Sequence, residues 1–489
     1  MKKIITILMM SLLMMGMADG QTPVLYGMTK NGGFNSYGNI FSINGDGTDF
    51  QSRYSCTINS GGYIPSGKLI FASDSKIYGV TQGGGSHNSG DIFTFNPLNN
   101  SYTELFSFNN TNGAAPNGLI QASNGKFYGL TQGGGDVTNF AYGNGVIFCF
   151  DPSTNIFTDL YHFHQLDGIR PYGNLMQATD GKLYGLTTCG GSDPVFYNGN
   201  SNPAGSGTMF CFDIINNTFT KLVDFIWTNG NDPECSLMQA SNGLIYGRTN
   251  YGGLSGSFGV IFSYDIISNN FTVLRNQICA EGGTGEGFIE GTNHLLYSMR
   301  GGGEGLHLGY IYSYEPSNNV YTVLYSMDSL NGIQPAFMNI IQAIDGNFYG
   351  TTWEGGLYGK GVIFQFNPIT AIYTKLHDFN GIDGDWATVG LLEVPNSLTT
   401  GINPIPNKET ITIYPNPAST TLTIHSQLPI LNSQLIITDV LGNEVYHQAI
   451  NNSTQLTINI SQWSGGVYFY EIRSGLQIPT SVRGKFVKE

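Results

Sequence analysis

One short pattern recurs along most of the chain and limits the folds open to it. The pattern, LYGMT in its first copy, is centred on a tyrosine that returns about every 50 residues. The seven copies are marked by Tyr26, Tyr78, Tyr128, Tyr184, Tyr246, Tyr297 and Tyr349. A glycine precedes the next apolar run in every copy, at Gly38, Gly90, Gly145, Gly207, Gly259, Gly309 and Gly361. The pattern therefore indicates a protein assembled from repeated units.

Each unit contains four strand signals, which are clearest in residues 118–150 and the segment that follows them. A short apolar run, an Asn-Gly turn and the tyrosine pattern come first. A glycine-rich loop, the run VIFCF and the alternating run FTDLYHF complete the unit. Four strands with a period near 50 are typical of β-propellers. We predict an all-β chain whose residues 22–396 form a seven-bladed β-propeller; an open solenoid is the alternative, although its repeats are usually shorter.

The two ends of the repeat region predict how the ring closes. The first copy begins directly in its second strand and has no first strand of its own. At the other end, residues 389–394 match a first strand, and no second strand follows them. We expect this segment to pair with the strand around Tyr26, because closure hides the strand edges that an open array exposes.

The N-terminus has the three parts of a secretory signal peptide. Residues 1–20 contain two lysines, an apolar run from Ile4 to Met15, and small residues at the cleavage position. This run is too short for a membrane-spanning helix, and no later stretch of the sequence qualifies. We therefore predict an exported mature protein that begins near Gln21 and has no transmembrane segment.

Charge and composition narrow the possible partners and set off the C-terminal region. The net charge of −14 argues against a nucleic-acid partner, since phosphate binding requires clustered basic residues. Residues 397–410 read as a linker that contains proline and asparagine. Residues 411–489 break the period but contain further strand-like runs, so we predict a separate small β-sandwich there.

The six cysteines match no zinc-binding spacing, and six cysteines allow fifteen disulfide pairings. Cys149 and Cys211 occupy equivalent positions in neighbouring repeats, which predicts small core residues. Cys189 and Cys235 flank adjacent glycine-rich loops and are the best candidate pair for a disulfide in an oxidising compartment.

The loops between second and third strands predict a ligand-binding rim. Residues 132–144 and 188–206 form the two long loops, and they belong to adjacent repeats. Aromatic faces stack on sugar rings, while Asn and Asp bond to hydroxyls. The candidate ligand-binding residues are Asp136, Phe140, Tyr142, Asp193, Phe196, Tyr197, Asn198 and Asn200. Sequence variation without a function in a solvent-exposed loop explains these residues equally well.

Two further clusters suggest chemistry only weakly. His162, His164 and Asp167 could bind a metal, but they lie on or beside the outer strand, which favours solvated side chains. Three glutamates could serve glycoside hydrolysis or hold calcium, although a solvated acidic loop is favoured; they are Glu281, Glu286 and Glu290. We assign no catalytic or metal-binding residue and expect no cofactor, with calcium as the open alternative.

The tail resembles the C-terminal sorting domain of the type IX secretion system of Bacteroidetes. The matching residues occur in the order of that family: Tyr414, Pro415, Asn416, Pro417 and Ala418, then 439–442, then Gly465, Gly466, Val467 and Tyr468, and finally Gly484, Lys485, Phe486, Val487 and Lys488. The resemblance implies the type IX secretion machinery as a partner. It also implies passage through the periplasm and a secreted or outer-membrane-surface location, with the domain usually removed.

The repeats resemble the tandem family called GloVer, in which YGTT-like strands precede a Gly-Gly loop and a GxxF strand. Residues 349–352, 355–356 and 361–364 form the closest copy. The Gly-Gly element is also loosely similar to kelch propellers. Neither resemblance carries over a catalytic residue set.

Three classes of function remain open from the sequence. A secreted, monomeric binding or adhesion module for an extracellular glycan or protein is favoured, and a polysaccharide-active hydrolase or lyase is second. A purely architectural surface protein is third. A buried carboxylate pair at the mouth of the ring would favour the enzyme.

Overall fold

The structure is a computed structural model of the 489-residue chain. It describes residues 22–57, 62–136, 143–193, 205–254, 258–278, 281, 287–301, 308–335, 340–387, 389–395, 412–414, 418–430, 433–439, 443–450, 453–474 and 481–488. The chain divides into two compact units, the first ending at Asn396 and the second beginning at Ser397.

The described residues of the first unit form seven antiparallel sheets, which we number as blades 1 to 7 in chain order. Blade 1 contains β1 (Val24–Asn31), β2 (Asn39–Asn44) and β3 (Gln51–Ser55), joined by β29 (Asp385–Ala387) and β30 (Leu392–Val394). Blade 2 contains β4 (Tyr63–Phe71), β5 (Ile77–Gly83), β6 (Asp91–Asn96) and β7 (Ser101–Ser107). Blade 3 contains β8 (Ala114–Gln121), β9 (Phe127–Gly133), β10 (Val146–Asp151) and β11 (Ile156–His162).

The remaining blades repeat this order. Blade 4 contains β12 (Ile169–Gln177), β13 (Leu183–Cys189), β14 (Thr208–Asp213) and β15 (Thr218–Asp224). Blade 5 contains β16 (Met238–Gln239), β17 (Ile245–Arg248), β18 (Val260–Asp265) and β19 (Asn270–Asn276). Blade 6 contains β20 (Ile289–Glu290), β21 (Leu296–Arg300), β22 (Tyr310–Glu315) and β23 (Val320–Ser326). Blade 7 contains β24 (Ile333–Pro335), β25 (Ile341–Gln342), β26 (Phe348–Glu354), β27 (Val362–Asn367) and β28 (Ile372–Asp378).

The exposure of the strands shows which one lies outermost. The second and third strands of blade 3 are almost wholly buried, whereas its fourth strand alternates exposed and partly buried side chains. The first strands lie innermost, where neighbouring blades touch: Lys68 of blade 2 forms a parallel bridge with Gly390 beside blade 1. The predicted all-β propeller fold is thus confirmed. We call the side with the first-to-second and third-to-fourth turns the turn face, and the opposite side the loop face.

The repeated tyrosine and glycine have separate structural roles. The buried tyrosine holds the tight turn before it: Tyr184 donates a hydrogen bond to Asp180 Oδ2 at 2.9 Å, and Asn242 Nδ2 donates to Tyr246 at 2.8 Å. The glycine after it makes room for an aromatic ring, since a Cβ atom on Gly185 would lie 2.5 Å from Phe210 Cζ. The tyrosine of the repeated pattern therefore contacts the turn before it, and the glycine allows close contact with the third strand.

The predicted closure of the first blade is confirmed. The strand β30 pairs antiparallel with β1, bringing Val394 opposite Val24 and Leu392 opposite Tyr26. The strand β29 extends the same edge by placing Ala387 opposite Thr29. The last part of the repeat region therefore supplies the inner strand that the first copy lacks.

Hydrogen bonds also join neighbouring blades on the turn face. A side chain on the inner strand of one blade accepts from a turn amide of the blade before it. The amide of Ser123 donates to Gln177 Oε1 at 2.8 Å, and the amide of Thr179 donates to Gln239 Oε1 at 2.8 Å. The amide of Ile344 likewise donates to the carboxylate of Glu393, at 3.1 Å to Oε2, across the closure.

The expected disulfide between Cys189 and Cys235 is wrong, because both residues are thiols in the structure. The Cys235 thiol is turned toward its own blade, where it donates to the Arg248 carbonyl at 3.3 Å and accepts from the Arg248 amide at 3.4 Å. Burial raises the pKa of the Cys189 thiol above its ordinary value, which lowers the fraction of reactive thiolate. Cys149 and Cys211 are buried core residues, as predicted.

The described residues of the second unit form two sheets. One consists of β31 (Thr412–Tyr414), β32 (Thr421–Ile430) and β35 (Ser453–Asn459). The other consists of β33 (Ser433–Thr438), β34 (Glu444–Ile450), β36 (Gly466–Ser474) and β37 (Ser481–Lys488). Their apolar sides contribute one core that includes Leu422, Leu435 and Ile458.

Two of the tail motifs seen in the sequence are neighbours in this unit. The strands β36 and β37 pair so that Gly466 lies opposite Lys488 and Tyr470 lies opposite Gly484, with Lys485 opposite Phe469. Tyr468 is buried and donates to the Ser464 carbonyl at 2.8 Å. Tyr414 ends β31, while Pro415, Asn416 and Pro417 lie outside the described residues.

Closure predicts a sharp loss of cooperativity when the last inner strand is removed. A chain that ends at Gly384 lacks both β29 and β30, so β1 becomes an open edge and the apolar side chains beneath it are exposed. We expect its thermal unfolding, followed by circular dichroism, to lose the single transition. A chain that ends at Asn396 is the matched control and should keep it. Equal melting curves for the two chains would contradict closure.

Candidate functional site

Six residues at the starts of inner strands share an unusual backbone conformation. Their φ angles lie between 51° and 58°, in a left-handed region that costs a non-glycine residue about 1–2 kcal/mol. Five of the six directly precede a proline, which restricts the backbone further. The six are Ile64, Ala115, Arg170, Asp232, Gln334 and Trp386. Because inner strands surround the propeller axis, these residues form a ring at its loop-face end, which we call the axial mouth.

Backbone hydrogen bonds between blades maintain this conformation. The amide of Arg170 donates to the Asn144 carbonyl at 2.9 Å, and the amide of Asp232 donates to the Ser206 carbonyl at 3.2 Å. Each acceptor directly precedes the third-strand glycine of the preceding blade. The bonds involve only main-chain atoms, so the side chains at the axial mouth can differ from blade to blade.

A second set of side chains reaches the axial mouth from the ends of the second strands. Gln132 Nε2 donates to Asn117 Oδ1 at 2.6 Å, and Thr188 Oγ1 donates to the Arg170 carbonyl at 3.2 Å. Both occupy the position directly after the threonine of the marker pattern. The equivalent position is held by Asn250 in blade 5 and by Trp353 in blade 7.

Blade 5 places two carboxyl groups together at the axial mouth. Asn250 Nδ2 donates to Asp232 Oδ2 at 3.3 Å and to Glu234 Oε2 at 3.0 Å, so one amide group bridges the pair. Burial raises the pKa of Asp232 above its ordinary value, opposed by the charges of Arg170 and Arg248. Burial and then the charge of Asp232 raise the pKa of Glu234 to about 7. The pair therefore holds a proton into the neutral range.

An aromatic group lies at the axial mouth where blade 7 meets blade 1. The rings of Trp353 and Trp386 are stacked, with centroids 6.0 Å apart and planes inclined by 14°. Lys30 Nζ lies 5.3 Å from the centroid of the Trp386 ring, which is the geometry of a cation–π contact. Both tryptophans are half-buried, so they can offer apolar surface to a ligand.

Two arginines lie beneath the axial mouth in blades 5 and 6, and both are fully buried. Arg248 stands where the equivalent strands carry mainly apolar residues, and Arg300 stands where they carry threonine. Burial and the neighbouring charge of Arg248 lower the pKa of Arg300 to about 10. Blades 5 and 6 therefore depart from the repeat by placing charge where other blades have neutral side chains.

The structure places the described members of the predicted loop site in structural contacts. Asp193 is buried and accepts a hydrogen bond from Ser206 Oγ at 2.6 Å. Asp136 lies 3.6 Å from His164 Nε2. The remaining candidates lie outside the described residues, and they stay predictions: Phe140, Tyr142, Phe196, Tyr197, Asn198 and Asn200.

The described members of the other clusters found in the sequence are separated or engaged, while Glu286 lies outside the described residues. His164 Nδ1 lies 3.4 Å from Asp167, while His162 Nε2 lies 3.1 Å from Asp159 instead. Glu281 accepts from Arg275 Nε at 2.9 Å, whereas Glu290 accepts from the amide of Ser241 at 2.6 Å. Within the ranges that the structure describes, no group of three or more His, Cys, Asp or Glu side chains could hold a metal ion.

Sequence reasoning missed the axial mouth because it searched for long loops. The signal lay in short positions where the backbone repeats and the side chain does not, before the inner-strand proline and after the threonine of the marker pattern. Aligning the seven copies at these two positions would have shown Asp232, Asn250, Trp353 and Trp386 together.

Two family models match the chain. One, described as the Gloeobacter/Verrucomicrobia repeat, matches residues 13–196, 138–299 and 195–343. The other, described as the secretion system C-terminal sorting domain, matches residues 412–489. No curated protein sequence matches the chain. Among the described residues, no helix is both long and apolar enough to cross a membrane.

Several solved structures are similar in fold. A candidate 6-phosphogluconolactonase from Bacteroides fragilis is 14% identical with a TM-score of 0.51, covering 77% of this chain and 99% of that one. A protein from Lactobacillus plantarum is 11% identical with a TM-score of 0.50, covering 76% and 98%. PorZ, a surface component of the type IX secretion system of Porphyromonas gingivalis, is 13% identical with a TM-score of 0.40. That match covers 96% of this chain but 58% of PorZ. At these identities the likeness concerns the fold alone.

The raised pKa of Glu234 predicts a pH-dependent stability. Folded Glu234 holds its proton up to about pH 7, whereas the unfolded side chain releases it near 4.5. The folded state therefore binds more protons between these values, and raising the pH across this window destabilises it. In the unaltered protein, we expect this effect to lower the free energy of unfolding by about 1–2 kcal/mol between pH 5 and 8. In Glu234→Gln this decrease should be absent.

Urea unfolding at several pH values measures this effect. The groups facing Glu234 are Asp232, Arg170, Arg248 and Asn250, and all of them stay in place in the variant. Glu354→Gln, at the end of β26 in blade 7, is the matched control and should leave the pH dependence unchanged. A Glu234→Gln profile parallel to the unaltered protein would contradict the prediction.

Proposed function

This chain belongs to the Gloeobacter/Verrucomicrobia repeat family and carries a type IX sorting domain, and we propose that its propeller binds carbohydrate at the axial mouth. The sorting domain indicates export to the cell surface or attachment to the outer membrane, and it implies interaction with the type IX secretion machinery. A protein at that location meets extracellular polysaccharides and glycoproteins, which makes a glycan ligand accessible to it.

The stacked Trp353 and Trp386 rings are the observation that carries this proposal. Two half-buried indoles in parallel planes at the end of a propeller axis give a flat apolar surface. Such surfaces suit the C–H face of a sugar ring, while the polar tip of the ligand stays hydrated. The contact of Lys30 with one face of Trp386 fixes that ring beside Trp353, whose ring is then held in place for a sugar to stack against.

The polar side chains at the same mouth suit a hydroxyl-rich ligand. Arg170 supplies donors, the Asp232–Glu234 pair supplies both an acceptor and a protonated carboxyl, and Asn250 joins the pair. Binding sites commonly combine apolar surface with a small number of placed polar groups. The long loops over residues 132–144 and 188–206 remain a proposed extension of this surface, with Tyr142 and Tyr197 as stacking groups.

The Asp232–Glu234 pair supports a second candidate, a polysaccharide-active enzyme. Glycoside hydrolysis requires one protonated carboxylic acid and one ionised carboxylate near the scissile bond. A Glu234 pKa of about 7 next to a second acid matches that division of roles. We favour binding over catalysis because the stacked tryptophans support ligand binding without the assumption of a catalysed reaction.

Removing the tryptophan surface tests the binding proposal. The unaltered protein is screened on an array of neutral, aminated and uronate-containing oligosaccharides, and the strongest binder is then titrated by calorimetry. We expect Trp353→Ala and Trp386→Ala each to weaken binding by about one to two orders of magnitude, taking nucleobase stacking on aromatics as the guide. The melting temperature should change little, because both side chains are half-buried.

Trp227→Ala is the matched control, since Trp227 is a half-buried tryptophan of a connection on the same face, outside the stacked pair. It should bind as the unaltered protein does. Undiminished affinity of both mouth variants, combined with weaker binding by a Tyr142→Ala/Tyr197→Ala double variant, would move the site to the long loops. No binding by the unaltered protein would reject the proposal.

The same oligosaccharides distinguish an enzyme from a binding protein. If the carboxyl pair is catalytic, new reducing ends or unsaturated products should form, and Glu234→Gln should slow their formation at least about a hundredfold. If the protein only binds, incubation should release neither product, and Glu234→Gln should affect affinity alone.

The sorting domain also predicts processing during export. We expect the region after about residue 400 to be removed, as is usual for the type IX sorting domain that the tail resembles. Mass spectrometry of the protein recovered from the cell surface should then find propeller peptides but no peptide that contains Trp463. Abundant surface protein that extends to Glu489 would contradict removal.

A further inference from the structure

A second pocket lies on the turn face, between blades 5 and 6, away from the axial mouth. Its volume is about 390 Å³, and its walls come from two neighbouring turns and from the third-to-fourth turn of blade 6. Tyr246, Leu296 and Pro316 contribute apolar surface, Glu290 and Glu315 contribute carboxyl groups, and His294 contributes an imidazole ring. A pocket of this size accommodates a monosaccharide or a molecule of similar size.

Three side chains in this pocket form one hydrogen-bonded group. Ser241 donates to Glu290 through both its amide and its hydroxyl, each at 2.6 Å. His294 Nδ1 lies 3.1 Å from Glu290 Oε1 and 3.1 Å from Ser241 Oγ. A catalytic serine and its acid contact opposite nitrogens of the histidine, whereas here both contact the same nitrogen. The arrangement therefore orients a carboxylate and does not activate a nucleophile.

Comparison with the equivalent clefts of other blades shows what is particular to this pocket. Position 290 holds glutamate, as the equivalent position of blade 1 does with Glu393, whereas blades 4 and 5 hold Gln177 and Gln239, which accept the same kind of turn amide. His294 has a φ of 62° at a turn position that is glycine in four other blades. The combination of glutamate and histidine places two ionisable groups at the rim of the pocket.

A third difference leaves a carboxylate without its lysine. In blade 3, Lys126 Nζ lies 3.3 Å from Asp151 at the end of the third strand. In blade 6 the two equivalent positions are Leu295 and Glu315. Glu315 accepts from Ser317 Oγ at 3.2 Å and is half-buried, so its negative charge faces the pocket with no lysine at that position.

We propose that this pocket binds a small ligand that carries a primary ammonium group beside hydroxyls, such as an aminosugar. Glu290 and Glu315 supply two negative charges for the ammonium group, and charge-assisted hydrogen bonds of this kind are the strong ones. Asn242, Ser317 and the ring of Tyr246 are placed for the hydroxyl-bearing part of the ligand. The site is independent of carbohydrate binding at the axial mouth, because it lies on the other face.

Titration of the full mature chain with three probes tests the proposal. Glucosamine should bind, whereas glucose and N-acetylglucosamine, which lack the ammonium group, should bind at least about tenfold more weakly. Isothermal calorimetry or ligand-observed NMR measures these affinities. Equal affinity for all three would overturn the cationic ligand class, and no binding of glucosamine would overturn the site.

Variants that restore the residues of other blades locate the binding and are expected to fold. Glu290→Gln introduces the residue found in blades 4 and 5, and Leu295→Lys introduces the lysine of blade 3 beside Glu315. Each should weaken glucosamine binding about tenfold or more. Glu290→Gln should leave the melting temperature unchanged, and circular dichroism should show that Leu295→Lys, which replaces a side chain packed against the core, is folded. Gln177→Glu, the reverse change in blade 4, is the control and should leave the affinity unaltered. Unchanged binding by both pocket variants would overturn the assignment.

Discussion

The contact between the second-strand glycine and the third-strand phenylalanine sets the spacing on which the rest of the structure depends. The glycines at 79, 185 and 350 each lack the Cβ atom that would collide with a ring in the next strand. The ring then fills the space between blades, and the tyrosine before the glycine is fixed against its turn. Blade 6 is the exception, because Ser298 and Tyr312 replace the pair. It is also, with blade 5, one of the two blades that contain a buried arginine in the marker strand.

Neighbouring blades are joined by main-chain hydrogen bonds on the loop face and by glutamine side-chain hydrogen bonds on the turn face. The fold therefore depends little on which side chains lie at the axial mouth. Arg170 and Trp386 adopt the same left-handed conformation as Ala115, and each donates its amide to the preceding blade. Their side chains share nothing except position. A repeated backbone can therefore present a basic, an acidic and an aromatic group around one axis without any change in the fold, which is the usual relation between rigid scaffold and variable site.

The sequence was sufficient for the fold because its signals were local and repeated. Tyr26 and the segment that ends at Val394 revealed both the unit and its closure, since a missing first strand at one end matched an extra one at the other. The disulfide failed because loop proximity says nothing about the direction of a thiol, and Cys235 faces the backbone of Arg248. The axial mouth was missed because its residues are distant in sequence and occupy short segments, where loop length carries no information.

Most residues that differ in charge from the repeat lie in blades 5 and 6. Each of these substitutions, considered alone, is unfavourable for the free energy of folding. Fully burying Arg248 and Arg300 removes two charges from water, which is costly without well-placed partners. The left-handed backbone conformation at this turn is less favourable for His294 than it would be for glycine. The other blades show that the fold can be built from neutral residues at these positions. Stability therefore gives no reason for the charged residues, and they occur beside the carboxyl pair of the loop face and around the pocket of the turn face. Two adjacent blades thus supply the unusual charged groups of the propeller, while blades 7 and 1 supply the stacked tryptophans of its axial mouth.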